Sequence, residues 1–117
     1  MRDLVPSAQS LIDDHFRTLG GVEEVADSLE VPLETLRRAF RREVGIPPSE
    51  YLAARRVTEA KRLLATTEMR AFEVGQAVGW SREDTAARAF RREAGMTMQD
   101  YRRAARTEGR RKPTGDE

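Results

Sequence analysis

Glu34, Arg37, Arg38 and Arg41 stand at the i, i+3, i+4 and i+7 positions of a helical repeat, so on a helix all four share one face. The planar fork of arginine donates two parallel hydrogen bonds to a phosphate or to O6 and N7 of guanine, so three arginines on one stripe suit both the backbone and the base edges of duplex DNA. The plain alternative is an ordinary solvated helix face. A second stripe, Asp84, Ala87, Arg88 and Arg91 with Glu83 beside it, has the same spacing but is much less basic. Glu83 and Asp84 can accept from cytosine N4, or they can cap the helix they begin and complement its macrodipole. Arg42, Arg55, Arg56, Arg92, Arg102 and Arg103 are open between phosphate contact and internal ion pairing. The candidate DNA-binding set is therefore Glu34, Arg37, Arg38, Arg41, Arg42 and Arg56 in the first half, with Glu83, Asp84, Arg88, Arg91 and Arg92 in the second.

Other chemistries find little material. The 117 residues contain no Cys and one His, which removes thiolate catalysis and iron–sulfur centres and leaves too few imidazoles for an ordinary zinc site. There is no glycine-rich phosphate loop and no nucleophile beside a base, so no catalytic residue, metal site or cofactor is expected. His15 reads as a surface or partly buried residue, and the Asp13–Asp14 and Glu23–Glu24 pairs as solvated surface. The formal net charge of +1 conceals a division along the chain. Residues 1–34 hold two basic residues against eight acids, a balance of −6, whereas the remainder holds nineteen against twelve, a balance of +7. Nineteen of the 21 basic residues are Arg, whose planar fork suits bidentate contact with phosphate or guanine, although a GC-rich genome gives the same excess.

The elements that must position these residues are duplicated. Residues 38–56, RAFRREVGIPPSEYLAARR, match residues 88–106, RAFRREAGMTMQDYRRAAR, at an offset of 50 with ten identities in nineteen positions. Upstream, VADSLEVP (25–32) parallels VGQAVGWS (74–81) at an offset of 49. Each copy reads as helix, turn, helix. In the first, Val22, Val25, Ala26 and Leu29 form one apolar face, Glu30 to Pro32 the turn, and Leu33, Leu36, Phe40 and Val44 the next face, stopped by Gly45. In the second, Phe72, Val74, Ala77 and Val78 precede a turn at Gly79 and Trp80, and Ala86, Phe90 and Ala94 precede Gly95. Ser81 with Asp84 forms a capping-box pattern.

A longer helix from Pro48 to about Thr66 joins the copies; at about 1.5 Å per residue it is roughly 28 Å long, a little less than the ~34 Å between successive major-groove faces. An amphipathic helix from Ser7 to about Thr18 precedes the first copy, and a helix capped by Thr97 follows the second. Phe40, Phe90, Trp80, Tyr51 and Tyr101 have the spacing of core residues. The expected fold is all-α, about seven helices in two helix-turn-helix subdomains: residues 1–46, a linker helix over 47–66, residues 67–106, and a flexible basic and polar tail over 107–117.

These segments together, LRRAFRREVG followed by PPSEYL, then RVTEAKRLL, VGQAVGWS and RAFRREAGMTMQDYR, resemble the paired helix-turn-helix DNA-binding domain of the AraC/XylS transcription regulators over roughly residues 7–106. The resemblance implies two recognition helices in adjacent major grooves of an asymmetric site of about 20 base pairs. It also implies base-contacting places at Glu34, Arg37 and Arg38 in the first unit and at Glu83, Asp84 and Arg88 in the second. The second unit departs from the family pattern: Gly75 stands where Ala is usual, Thr85 and Ala86 where an aromatic pair or Phe is common, and Met98 where Pro is usual. A helical glycine, costing up to ~1 kcal/mol, and a small core residue are expected to loosen that unit, and leucine at position 86 to raise its melting temperature. The first unit is expected to supply most of the affinity.

The resulting reading is a sequence-specific transcription regulator that binds double-stranded DNA. A different class, a helical module docking on RNA polymerase or another regulator through its acidic N-terminal third, is the alternative. MRDLVPSAQS lacks the basic and apolar regions of a signal peptide, and no apolar run approaches the roughly 20 residues that span a bilayer, so a cytoplasmic protein with no membrane partner is expected. The chain is expected to be monomeric, either a short stand-alone regulator or a fragment lacking an effector domain. No ligand pocket is evident from the sequence.

Overall fold

In the computed structural model the apolar periodicities resolve into seven helices: α1 (Leu4–His15), α2 (Val22–Ser28), α3 (Leu33–Glu43), α4 (Pro48–Thr66), α5 (Ala71–Ala77), α6 (Glu83–Ala94) and α7 (Met98–Gly115). The structure describes residues 3–115, with side chains through residue 108, and no strand occurs among the described residues. The all-α architecture expected from the repeat is what forms. Two compact units divide the chain, Met1–Arg56 and Val57–Glu117, and the division falls inside α4. Where a separate linker over 47–66 was expected, the first half of α4 closes one unit and its second half opens the next.

The helix-turn-helix turns are built alike. In the first, the amide of Val31 donates to the Ala26 carbonyl at 3.0 Å across Glu30, which has φ 59°. In the second, the amide of Trp80 donates to the Gly75 carbonyl at 2.9 Å across Gly79, at φ 119°. Both have the bond pattern of a Schellman closure, in which a residue of positive φ ends the helix and the apolar residue after it folds back onto the core. Val31 and Trp80 are accordingly buried. The first copy places a glutamate in a conformation that the second gives to glycine.

Within the first unit α1, α2 and α3 pack on one another around Ile12, Val25, Leu36 and Phe40, all at 0% exposure. Tyr51 of α4 meets the edge of Phe40 at 5.9 Å between ring centroids and donates its hydroxyl to Asp13 at 3.2 Å. Burial, with the Asp13 carboxylate beside it, raises the Tyr51 pKa. Arg55 Nε also donates to Asp13, at 3.2 Å, while its guanidinium lies 4.5 Å above the Phe16 ring. Asp13 lies on the surface as expected and also ties α1 to α4.

The second unit repeats the arrangement with α5 on α6 and α6 on α7, around Val74, Val78 and Phe90. Tyr101 stands to Phe90 as Tyr51 stands to Phe40, at 6.0 Å, and Lys61 Nζ lies 5.5 Å from its ring centroid. Gly75 is buried in α5, and a Cβ built there would come within 2.9 Å of Ala86 Cβ on α6. The two small residues that depart from the family pattern therefore form a close helix crossing. Ala86 also borders a groove of about 290 Å³ lined by Phe72, Ala87 and Met98. Phe72, expected on the apolar face of its helix, lies at the mouth of that groove with 43% of its surface exposed.

Some helix ends differ from expectation. Helix α1 begins at Leu4 rather than Ser7 because Leu4 and Val5 are buried, and Pro6 is tolerated in a first turn that needs no amide. The Ser81–Asp84 capping box does not form; the N-cap of α6 is Arg82. Thr97 does cap α7, its hydroxyl accepting the Asp100 amide at 3.1 Å. Helix α7 continues through Gly115 where a tail was expected from residue 107. Residues 116 and 117 of that tail lie outside the described residues.

Candidate nucleic-acid interface

Helix α3 buries Leu36, Ala39 and Phe40 and turns Glu34, Arg37, Arg38, Arg41 and Arg42 outward. This is the division that the i, i+3, i+4, i+7 stripe requires. Arg37 Nη1 lies 3.6 Å from Glu34 Oε1, and Arg42 Nη2 3.5 Å from Glu43 Oε2, both loose surface contacts of small energetic weight. Arg38 and Arg41 have no side-chain hydrogen bond or ion pair among the described residues, and both are exposed. Their five donors each are open to a phosphate or a base edge.

Helix α6 makes the same division, burying Ala86, Ala89 and Phe90 and exposing Glu83, Asp84, Arg88, Arg91 and Arg92. Arg88, Arg91 and Arg92 likewise have no side-chain hydrogen bond or ion pair among the described residues. Asp84 is engaged on two sides. Arg82 Nε and Nη2 lie 3.2 and 3.1 Å from its two oxygens, and the Thr85 amide donates to Oδ1 at 2.9 Å. The Arg82 guanidinium holds the Asp84 carboxyl below the usual carboxylate range, and the same pairing raises the Arg82 pKa. Arg82 was absent from the sequence-derived set. The signal that marks it is positional: a basic residue immediately before a recognition helix, where the first copy has Pro32.

One member of that set is corrected. Arg56 is buried at 7% exposure, with Nε donating to the Phe16 carbonyl at 3.1 Å and Nη2 to the Leu19 carbonyl. Burial lowers its pKa, but the guanidinium serves the carbonyls that follow α1 and offers nothing to DNA. Its counterpart in the repeat, Arg106, donates to the Thr67 carbonyl at 2.7 Å, and Arg102 donates to the Leu64 carbonyl at 2.9 Å and to Thr67 at 3.1 Å. Each unit thus uses arginine from its closing helix to satisfy the carbonyls at the end of its opening helix, groups with no intrahelical partner. Arg55 and Arg103 pair with Asp13 and Asp100, whereas the outward arginines at 38 and 41 of α3 and at 88, 91 and 92 of α6 carry no such pair among the described residues.

The arrangement presents fixed helices, each with one buried face and one arginine-bearing face, without a group of His, Cys, Asp or Glu able to hold a metal ion among the described residues. A family model described as a helix-turn-helix domain matches residues 25–104. The chain is 30% identical over 70 residues to the HTH-type transcriptional activator RhaS of Escherichia coli O9:H4 (strain HS), covering 60% of this chain and 25% of RhaS. It therefore spans about a quarter of the length of the curated relatives it matches. Among solved structures it is similar to the C-terminal domain of AraT, a response regulator from Geobacillus stearothermophilus, at 30% identity and a TM-score of 0.81, covering 86% of this chain and 84% of that one. It is also similar to the DNA-binding domain of AdpA, the global transcriptional factor, solved in complex with a target DNA, at 28% identity and a TM-score of 0.80, covering 90% and 94%.

Proposed function

Because the chain belongs to the helix-turn-helix family of AraC/XylS-type DNA-binding domains, we propose that it binds double-stranded DNA sequence-specifically and regulates transcription, placing α3 and α6 in successive major grooves. The observation that carries this reading is the pair Arg38 and Arg41 on α3 repeated as Arg88 and Arg91 on α6, all four exposed and without a side-chain hydrogen bond or ion pair among the described residues. Arg37, Arg38 and Arg88 serve as base-edge or phosphate donors, and Arg41, Arg42, Arg91 and Arg92, nearer the helix C-termini, as phosphate contacts that fix register. Glu34 and Glu83 stand in the first turns, where they reach base edges and complement the macrodipole. The first unit, with Arg37 where the second has Ala87, supplies the larger share of affinity.

Selection of bound sequences from random duplex DNA tests this reading. A single two-part motif is expected, with binding that weakens steeply between about 50 and 200 mM salt as phosphate contacts release counterions. Absence of enrichment would remove the proposal. A second reading is supported by one observation: Glu23, Glu24 and Asp27 of α2 are all exposed and form an acidic helix surface. That surface suits a basic patch on RNA polymerase, and an interaction of this kind would persist with α3 and α6 stripped of arginine.

A further inference from the structure

Positions 34 and 84 are equivalent in the repeat, and both are acids, Glu34 and Asp84. Each contacts an arginine, but not the equivalent one. In the first unit the partner is Arg37, one turn further along α3. The second copy has Ala87 at that place, and its arginine comes from the other side, Arg82, where the first copy has Pro32. The loss of one arginine is thus matched by the gain of another, and an acid-held arginine is kept at the start of both helices. The second pair is the better formed, with two hydrogen bonds at 3.2 and 3.1 Å against a single 3.6 Å approach.

We propose that Arg82 is a base-reading residue of the second unit, donating to a guanine in the major groove, and that Asp84 is the residue that positions it. The inference rests on the reading of α6 as a major-groove helix. Asp84 occupies Nε–H and one Nη2–H of the guanidinium, which leaves the end of the fork, Nη1–H and the other Nη2–H, pointing away from the carboxylate. That edge has the spacing of guanine O6 and N7. The side chain of Arg82 remains 73% exposed, so the edge is reachable.

Charge decides between a base and a phosphate as its target. An arginine sharing its charge with an adjacent carboxylate attracts a phosphate weakly, and the carboxylate itself repels one. An uncharged base edge meets no such penalty and still receives two directed hydrogen bonds. The carboxylate also restricts the rotamers of a long side chain before DNA arrives, so less freedom is lost on binding. Asp84 is itself fixed by the Thr85 amide and by its place in the first turn of α6. In this account Asp84 does not accept from cytosine; its lone pairs serve Arg82 and the backbone.

The test is selection from random duplex DNA with the unsubstituted chain and with Arg82→Ala, Arg82→Lys and Asp84→Asn, each checked for unchanged helicity by circular dichroism. Arg82→Ala is expected to erase the preference for one guanine in the half of the motif read by the second unit and to lower affinity for the selected site about tenfold or more, with the salt slope unchanged. Lysine, which lacks the fork, should not restore that preference. Asp84→Asn should weaken it at the same position by several-fold. A motif unaltered by Arg82→Ala, or a uniform loss over all sequences with a salt slope reduced by about one, would overturn the proposal while leaving the proposed function intact. No enriched motif for the unsubstituted chain would overturn both.

Discussion

Arginine is the residue on which the sequence is hardest to read, because the same side chain contacts phosphate, reads guanine or closes a helix end. Arg56 and Arg106 are identical partners in the repeat, and their charge alone suggested DNA for the first. The register told otherwise: Leu52, Arg56 and Ala60 form an i, i+4, i+8 stripe, and all three are buried. Arg56→Met keeps the length of the side chain but strands the Phe16 and Leu19 carbonyls, so it should destabilise the first unit by about 1–3 kcal/mol in chemical denaturation. An unchanged midpoint would show that water replaces the guanidinium. At the turn of the same unit, Glu30 sits at φ 59° where its counterpart is Gly79. A left-handed conformation costs a non-glycine residue roughly 1–2 kcal/mol, and the added unfolded-chain entropy of glycine offsets part of that. Glu30→Gly should accordingly raise the melting temperature by a few degrees, whereas Gly79→Glu should lower it. The positive φ was not legible from glutamate, but the alignment of 30 with 79 contained the hint.

At the scale of elements, most of the fold was written in the sequence. Pro48 and the repeat fixed both ends of α4 correctly, and Gly45 and Gly95 stop α3 and α6 with φ of 93° and 82°. What periodicity does not show is how near two helices come. Gly75 and Ala86 read from the sequence as defects that loosen the unit, yet they meet at a helix crossing where a Cβ on residue 75 would come within 2.9 Å of Ala86 Cβ, with no room for one more methyl. Gly75→Ala improves helix propensity by up to ~1 kcal/mol, but the contact it creates is against a Cβ fixed to the backbone of α6, and overpacking of this kind costs typically 1–3 kcal/mol. The substitution is expected to lower the melting temperature of the second unit; a rise would mean that α5 can slide away from α6 freely. The exposure of Phe72 has the same origin, since the small residues on α6 leave the groove beside it unfilled. Helix starts without a side-chain cap, as at Leu4, were legible only within a few residues.

For the molecule as a whole, a net charge of +1 first argues against a nucleic-acid ligand. The structure distributes that charge: acids crowd α2 and the first turns of the recognition helices, many arginines are consumed by carboxylates and carbonyls, and five exposed arginines without a side-chain hydrogen bond or ion pair among the described residues, Arg38, Arg41, Arg88, Arg91 and Arg92, stand on α3 and α6. Such a surface has a weak general attraction for DNA and depends on directed contacts from two helices. The candidate site was legible in outline because the duplicated stripe is a pattern of spacing. Its division into readers, positioners and structural arginines was not, since that depends on which carbonyl or carboxylate each guanidinium reaches. The central claim is that both units engage one duplex, and hydroxyl-radical footprinting on a selected site tests it most directly. Two protected patches about one helical turn apart are expected, the second lost on replacing Arg88 and Arg91 by Ala. A single patch, unchanged by that double substitution, would contradict the account.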